Sequence, residues 1–137
     1  MTDPTSGEVV LSIRGELVTQ LRFDFGFTIV TEGSEIRIET PFQLIGLDAE
    51  TRMIDPEQPS RADELLELHQ AYVDGDCFDD GRLELRFSNG FTVNVASDIN
   101  FEAWALTRGS GEMAVATPGG GVAIFRAGAP SEVDVDE

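Results

Sequence analysis

Apolar residues recur along the chain in short runs, many of them alternating with polar residues, and turn-forming residues separate the runs. Glu35–Thr40 (EIRIET) sets Ile against charged neighbours at every second position, which is how a strand with one buried and one wet face is written. The same pattern predicts strands over Glu8–Ile13, ending near Gly15, and over Leu17–Phe23, Phe27–Thr31 and Phe42–Leu47. Asp24-Phe25-Gly26 and Glu32-Gly33-Ser34 supply turns between them. Residues 48–60 read as a loop, broken by Asp55-Pro56 and Gln58-Pro59. A single helix is predicted over Arg61–Tyr72, with Leu65, Leu66, Leu68 and Tyr72 on one side. Ser60 stands three residues before Asp63 in a capping-box arrangement, and Asp63 and Glu64 occupy the first turn. Strands resume at Val73–Phe78, Arg82–Phe87 and Phe91–Ala96, separated by Asp79-Asp80-Gly81 and Ser88-Asn89-Gly90. Both turns end in the X-Gly pairs that favour hairpins. Phe101–Thr107, Glu112–Thr117 and Val122–Arg126 follow, with Pro118-Gly119-Gly120-Gly121 joining the last two.

The chain is therefore expected to be mainly β: two antiparallel, meander-like halves around one helix, closed as a sandwich or a flattened barrel. Residues 8–127 form the expected β-rich domain, and 1–7 and 128–137 are expected disordered tails. The halves also resemble each other. Leu21-Arg22-Phe23-x-x-Gly26-Phe27-Thr28-Ile29 matches Leu85-Arg86-Phe87-x-x-Gly90-Phe91-Thr92-Val93 at an offset of 64. An offset of about 55 follows strand order better, pairing Val18–Phe23 with Val73–Phe78 and Phe27–Thr31 with Arg82–Phe87. Internal duplication and convergence of two amphipathic hairpins both explain such matches.

Composition narrows the function classes. The 137 residues carry 26 Asp+Glu against 9 basic residues, a formal charge of −17, and every basic residue is Arg. Such a surface lacks the cations that bind a nucleic-acid backbone or anionic lipid, and a P-loop needs a Lys. Dense carboxylates suit a salty cytoplasm, while Arg without Lys suits a GC-rich genome. The single cysteine, Cys77, allows no internal disulfide. The first residues carry neither a basic nor an apolar leader region, and no run approaches the ~20 apolar residues of a bilayer span. A soluble, cytoplasmic protein is expected.

Gly81-Arg-Leu-Glu-Leu-Arg-Phe-Ser-Asn-Gly90, Phe101-Glu-Ala-Trp104 and Thr117-Pro-Gly-Gly-Gly-Val-Ala-Ile-Phe125 together resemble a family of small uncharacterised actinobacterial proteins. That family's pattern is a G-x-L-x-L-x-F-x-x-G hairpin, then Y-E-A-W, then P-G-G before a final strand. Phe101 stands here in place of Tyr and Phe125 in place of Trp. The resemblance covers residues 73–126 well and the first half loosely. It implies a β-rich domain of unknown function and an actinobacterial source, and it carries no established activity to transfer.

Candidate chemistry is sparse. Glu102 and Trp104 are two apart, so on a strand they share a face, and a carboxylate beside an indole can bind a polar or cationic ligand. Core packing is the competing role for Trp104; a buried Glu102 would then need Arg108, Arg126 or backbone N–H partners. Gly119 and Gly120 could cradle a ligand, although a β-type run follows them and a positive-φ hairpin turn accounts for them. Asp74–Asp80 has the look of a calcium loop, but Phe78, Asp79 and Leu85 fall where the EF-hand needs a ligand, Gly and Glu. An acidic hairpin loop or a loose cation site remain as readings. His69 has no second histidine for zinc, and Cys77 sits among acids that raise a thiol's pKa.

With no catalytic set, metal cluster or cofactor motif, the expectation is a non-enzymatic binding or assembly domain. An acidic immunity-type protein that neutralises a basic toxin is an alternative, as is a small-molecule pocket around Glu102, Trp104 and Gly119–Gly121. A basic protein or a second copy is the expected kind of partner.

Overall fold

The computed structural model describes residues 7–58 and 62–126. The tails and the Ser60 cap expected from the sequence fall outside the described residues, Gly7 excepted. The strands are β1 (Val9–Phe23), β2 (Phe27–Thr31), β3 (Ser34–Ile38), β4 (Phe42–Ile45), β5 (Thr51–Ile54), β6 (Tyr72–Phe78), β7 (Leu83–Phe87), β8 (Thr92–Val95), β9 (Trp104–Arg108), β10 (Met113–Ala116) and β11 (Val122–Phe125). They form one antiparallel sheet in the order β11-β10-β9-β3-β2-β1-β6-β7-β8-β4-β5, which does not close into a barrel.

β1 is the element that lets one sheet make two layers. Its first part pairs with β6 and its last part with β2, and the register shifts between Ile13 and Glu16. Gly15 lies in that shift at φ +61°. Glycine enters this region without steric cost, so the strand bends there and continues. The sequence suggested two strands separated near Gly15; the glycine interrupts the register instead of the strand. The layers on either side of the bend face each other: the Phe27 ring stacks on Phe42 at 5.8 Å. Trp104 Nε1 donates across to the Gly81 carbonyl at 2.9 Å.

The strands also fall into two matching sets. Ile13, Gly75, Leu85, Val93, Leu44 and Arg52 lie side by side across β1-β6-β7-β8-β4-β5. Leu21, Ile29, Ile36, Leu106, Ala114 and Ile124 do so across β1-β2-β3-β9-β10-β11. Counted outwards from Gly75 on β6 in the first row and from Leu21 on β1 in the second, Ile29 corresponds to Leu85, Ile36 to Val93 and Leu106 to Leu44. The first two of these pairs follow the shorter of the two sequence offsets; the longer match of Leu21–Ile29 with Leu85–Val93 joins strands that hold different places. The sets are interlocked. β4 and β5 follow β3 in the chain but pair beside β8, and β9 and β10 follow β8 but pair beside β3. Two crossovers, residues 39–41 and 96–103, therefore pass between the layers at one end of the molecule.

The core is aliphatic with aromatic ends. Ile29, Ile36, Leu44, Leu85, Val93 and Leu106 are fully buried along the middle rows, and Phe27, Phe42 and Trp104 fill the end near the crossovers. The helix is shorter than its periodicity suggested: Ala62–Leu65 is α-helical, Leu66–Leu68 a 3-10 turn, and Tyr72 already belongs to β6. His69 is extended and Gln70 has φ +70°. The chain turns there because Gln70 N–H and Ala71 C=O pair with Val18 on β1. Leu65 and Leu68 plug the core, whereas Leu66 stays exposed. β5 lies in the stretch that reads as a loop. Among the described residues no helix is long and apolar enough to cross a membrane.

Candidate functional site

The crossovers build a cleft of about 630 Å³. The first half of the chain contributes Glu39, Thr40, Pro41, Asp55 and Glu57, and the second half Asp98, Asn100, Phe101, Glu102 and Pro118. These are matching places in the two halves: Glu39–Pro41 leads into β4 as Phe101–Ala103 leads into β9, and Asp55 follows β5 as Thr117 follows β10. The interlocking thus makes the cleft, and each half supplies half of its lining.

Five carboxylates face this space. Asp98 Oδ2 accepts the N–H groups of Asn100 and Phe101 at 2.8 and 3.1 Å, an Asx turn that fixes the loop carrying Phe101. Asp98 also ties the loop to the glycine turn, since its carbonyl accepts Gly119 N–H at 2.7 Å. Asp55 Oδ1 accepts Glu57 N–H. Glu39 bonds to Arg37, and Arg37 reaches on to Asp24 Oδ1 at 2.8 Å. That hydrogen bond from Arg37 holds the Asp24 carboxyl below its usual range. Glu102 has no hydrogen-bond or ion-pair partner among the described residues. The carboxylates are spread round the rim instead of converging, and no three His, Cys, Asp or Glu among the described residues are grouped to hold a metal ion. Such an arrangement attracts extended cations more than a point charge.

The sequence candidates separate. Glu102 lies on the cleft, exposed, one residue before Ala103 and outside β9. The expected strand over Phe101–Thr107 starts only at Trp104, just after the last bond of its ladder with β3, from Glu39 N–H to Ala103 C=O at the crossover. Trp104 faces the other way, fully buried, so the pair does not share an open face and Glu102 needs no buried partner. Gly119 and Gly120 have φ of +85° and +108° in the β10-β11 turn; the Thr117 hydroxyl donates to Gly120 C=O at 2.8 Å and closes it.

The other acids serve the fold. Asp74–Asp80 forms strand and turn, so its side chains diverge. Asp74 accepts Gly15 N–H, Asp79 accepts Glu8 N–H and Asp80 pairs with Arg82. Asp76 is nearly buried and takes Ser12 Oγ, Arg14 and Arg86 at 2.8, 2.8 and 2.9 Å. Burial pushes its carboxyl up, but these three bonds outweigh that and the net shift is downward. Burial, then the Asp76 charge, pushes the Cys77 thiol up to about 12, so it is not a nucleophile near neutral pH. His69 points outwards, its Nε2 3.3 Å from the Thr19 carbonyl. A second cleft of about 400 Å³ lies on the polar outer face of β4, β5, β7 and β8, with Arg82 and Glu84 both on its walls.

The model of DUF6188, a family of unknown function, matches residues 9–126. The chain belongs to this family. No curated protein matches the chain, and no solved structure matches it. The DUF6188 match runs from β1 to the residue after β11, so it takes in both strand sets and the cleft between them. The acidic cleft is not legible in the sequence because its ten lining residues come from four separate segments. The available signal was the repeat itself, which puts Asp55-Pro56 and Thr117-Pro118 at matching places.

Proposed function

We propose that this DUF6188 chain is a non-enzymatic binding domain whose cleft end receives a cationic protein. The carrying observation is the cleft itself: five carboxylates from both halves surround it without converging on a point. Carboxylates so placed steer a basic surface and pair with separate Arg or Lys side chains of a partner. A basic toxin, held by an immunity-type protein, is one partner of this kind. The proposal includes a cytoplasmic location, with which the one buried, unpaired thiol is compatible.

The test is a titration of the chain with a fluorescent oligo-arginine peptide, read by anisotropy at about 50 and 200 mM salt. Glu57→Gln, Asp98→Asn and Glu102→Gln together are expected to weaken binding at least tenfold. An equal charge change away from the cleft, Glu35→Gln, Glu50→Gln and Glu67→Gln, is expected to weaken it no more than about threefold. Equal losses from the two triple variants would reduce the attraction to net charge and overturn the cleft as the site.

A further inference from the structure

Three large apolar side chains stand out from the cleft end: Phe25 is 88% exposed, Ile99 79% and Phe101 64%. Phe25 is held there. It occupies the tip of the β1-β2 hairpin at φ +69°, a conformation that a bulky residue adopts only under constraint. Arg37 supplies the constraint, bonding Asp24 through both its carboxylate and its carbonyl. Gly26 makes room for this grip, because a Cβ there would stand 2.7 Å from Arg37 Nη2. Arg37 also bonds Glu39 on the cleft rim, and Phe23, Phe27, Ile38 and Trp104 run in one lateral row. Hairpin tip, rim and the Phe101 loop therefore extend from the same end of the layer. Phe101 is fixed in turn by the Asp98 carboxylate.

We infer that Phe25 and Phe101 are apolar anchors of a docking surface, and that the partner is a basic protein offering aliphatic or aromatic side chains between its Arg and Lys residues. This rests on the proposed function. Charge selects the occupant: a second copy of this chain, at −17, would bring like charge to the surface, whereas a cationic partner is drawn to the carboxylates that surround the rings. Strain kept at an exposed tip, with a ring turned to water, is the arrangement in which a side chain is readied for contact.

Two labelled peptides of equal length and charge test this, one of Arg with Ser and one of Arg with Leu and Trp. The wild-type chain is expected to bind the second at least tenfold more tightly. Phe25→Ala, outside the cleft lining, is expected to remove most of that advantage and to leave the Arg-Ser peptide unchanged, and Phe101→Ala, on the cleft wall, is expected to remove most of the advantage as well. Phe25→Gly is expected to raise Tm, by relieving the tip, while losing the same advantage; a side chain serving only the fold would not part these two readouts. If both peptides bind alike, or the Phe variants leave the advantage intact, the anchors are refuted and the charge reading stands. If neither peptide binds, the charge reading fails and this inference falls with it.

Discussion

Asp76 shows how an acidic protein keeps a carboxylate inside its sheet. Its side chain is only 11% accessible, while those of Arg14 and Arg86 are 56% and 39% accessible. The cations remain partly hydrated, so the cluster avoids most of the desolvation that makes fully buried pairs costly, and solvent screening limits its worth. Asp76→Asn is expected to cost about 1–2 kcal/mol at neutral pH, the scale of hydrogen bonds to a charged group. The sign of the pH dependence follows from the downward shift. A carboxyl with a depressed folded pKa stabilises the fold above its unfolded value, about 3.9, and loses that contribution as pH falls through the folded pKa. Urea midpoints of the wild type and the variant should therefore differ at pH 7 and draw together as pH falls through the lowered folded value. A gap that persists at low pH would mean that packing, not charge, explains the loss.

At the level of elements, what was legible and what was not divides along the range of the interaction. The hairpins were readable because Asp80-Gly81 and Asn89-Gly90 encode them locally; Gly81 and Gly90 have φ of +95° and +98°. The apolar periodicity runs past the helix because Val18, distant in sequence, takes the backbone groups at Gln70 and Ala71. β5 is not legible in the sequence because it is a four-residue edge strand whose one fully enclosed side chain is Ile54. Strand periodicity does not put Glu102 and Trp104 on one face, because β9 begins only after Glu102. Gly81 connects turn chemistry to the core: its carbonyl accepts the Trp104 indole, and a Cβ on it would stand 2.8 Å from Ser97 Cβ and 3.1 Å from Gly121 N. Gly81→Ala is expected to destabilise the fold by about 2–3 kcal/mol, from positive φ and crowding combined. The Trp104 emission should shift to the red as its hydrogen bond and seal loosen. An unchanged Tm with unchanged emission would show that the Gly81–Gly121 contact yields freely.

Over the whole molecule, interlocking and charge pull in opposite directions, and salt separates them. Residues 1–60 carry eleven Asp+Glu against four Arg, and residues 61–137 fifteen against five, so each half is acidic and repels the other. Neither half contains the hairpin that completes its own meander: β4-β5 need β8, and β9-β10 need β3. Cut into 1–60 and 61–137, the fragments should each lack strand circular dichroism alone and regain it when mixed, together with the blue-shifted emission of a buried Trp104. Added salt shortens the range of repulsion to about 8 Å at physiological strength, so reassembly should strengthen with salt. Binding of a cationic partner at the cleft should weaken over the same range, because there salt screens attraction. Opposite salt slopes for assembly and for partner binding would place the two processes on different surfaces. Fragments that fold alone would show instead that the interlocked hairpins are dispensable, and a common slope would mean that one charge effect governs both.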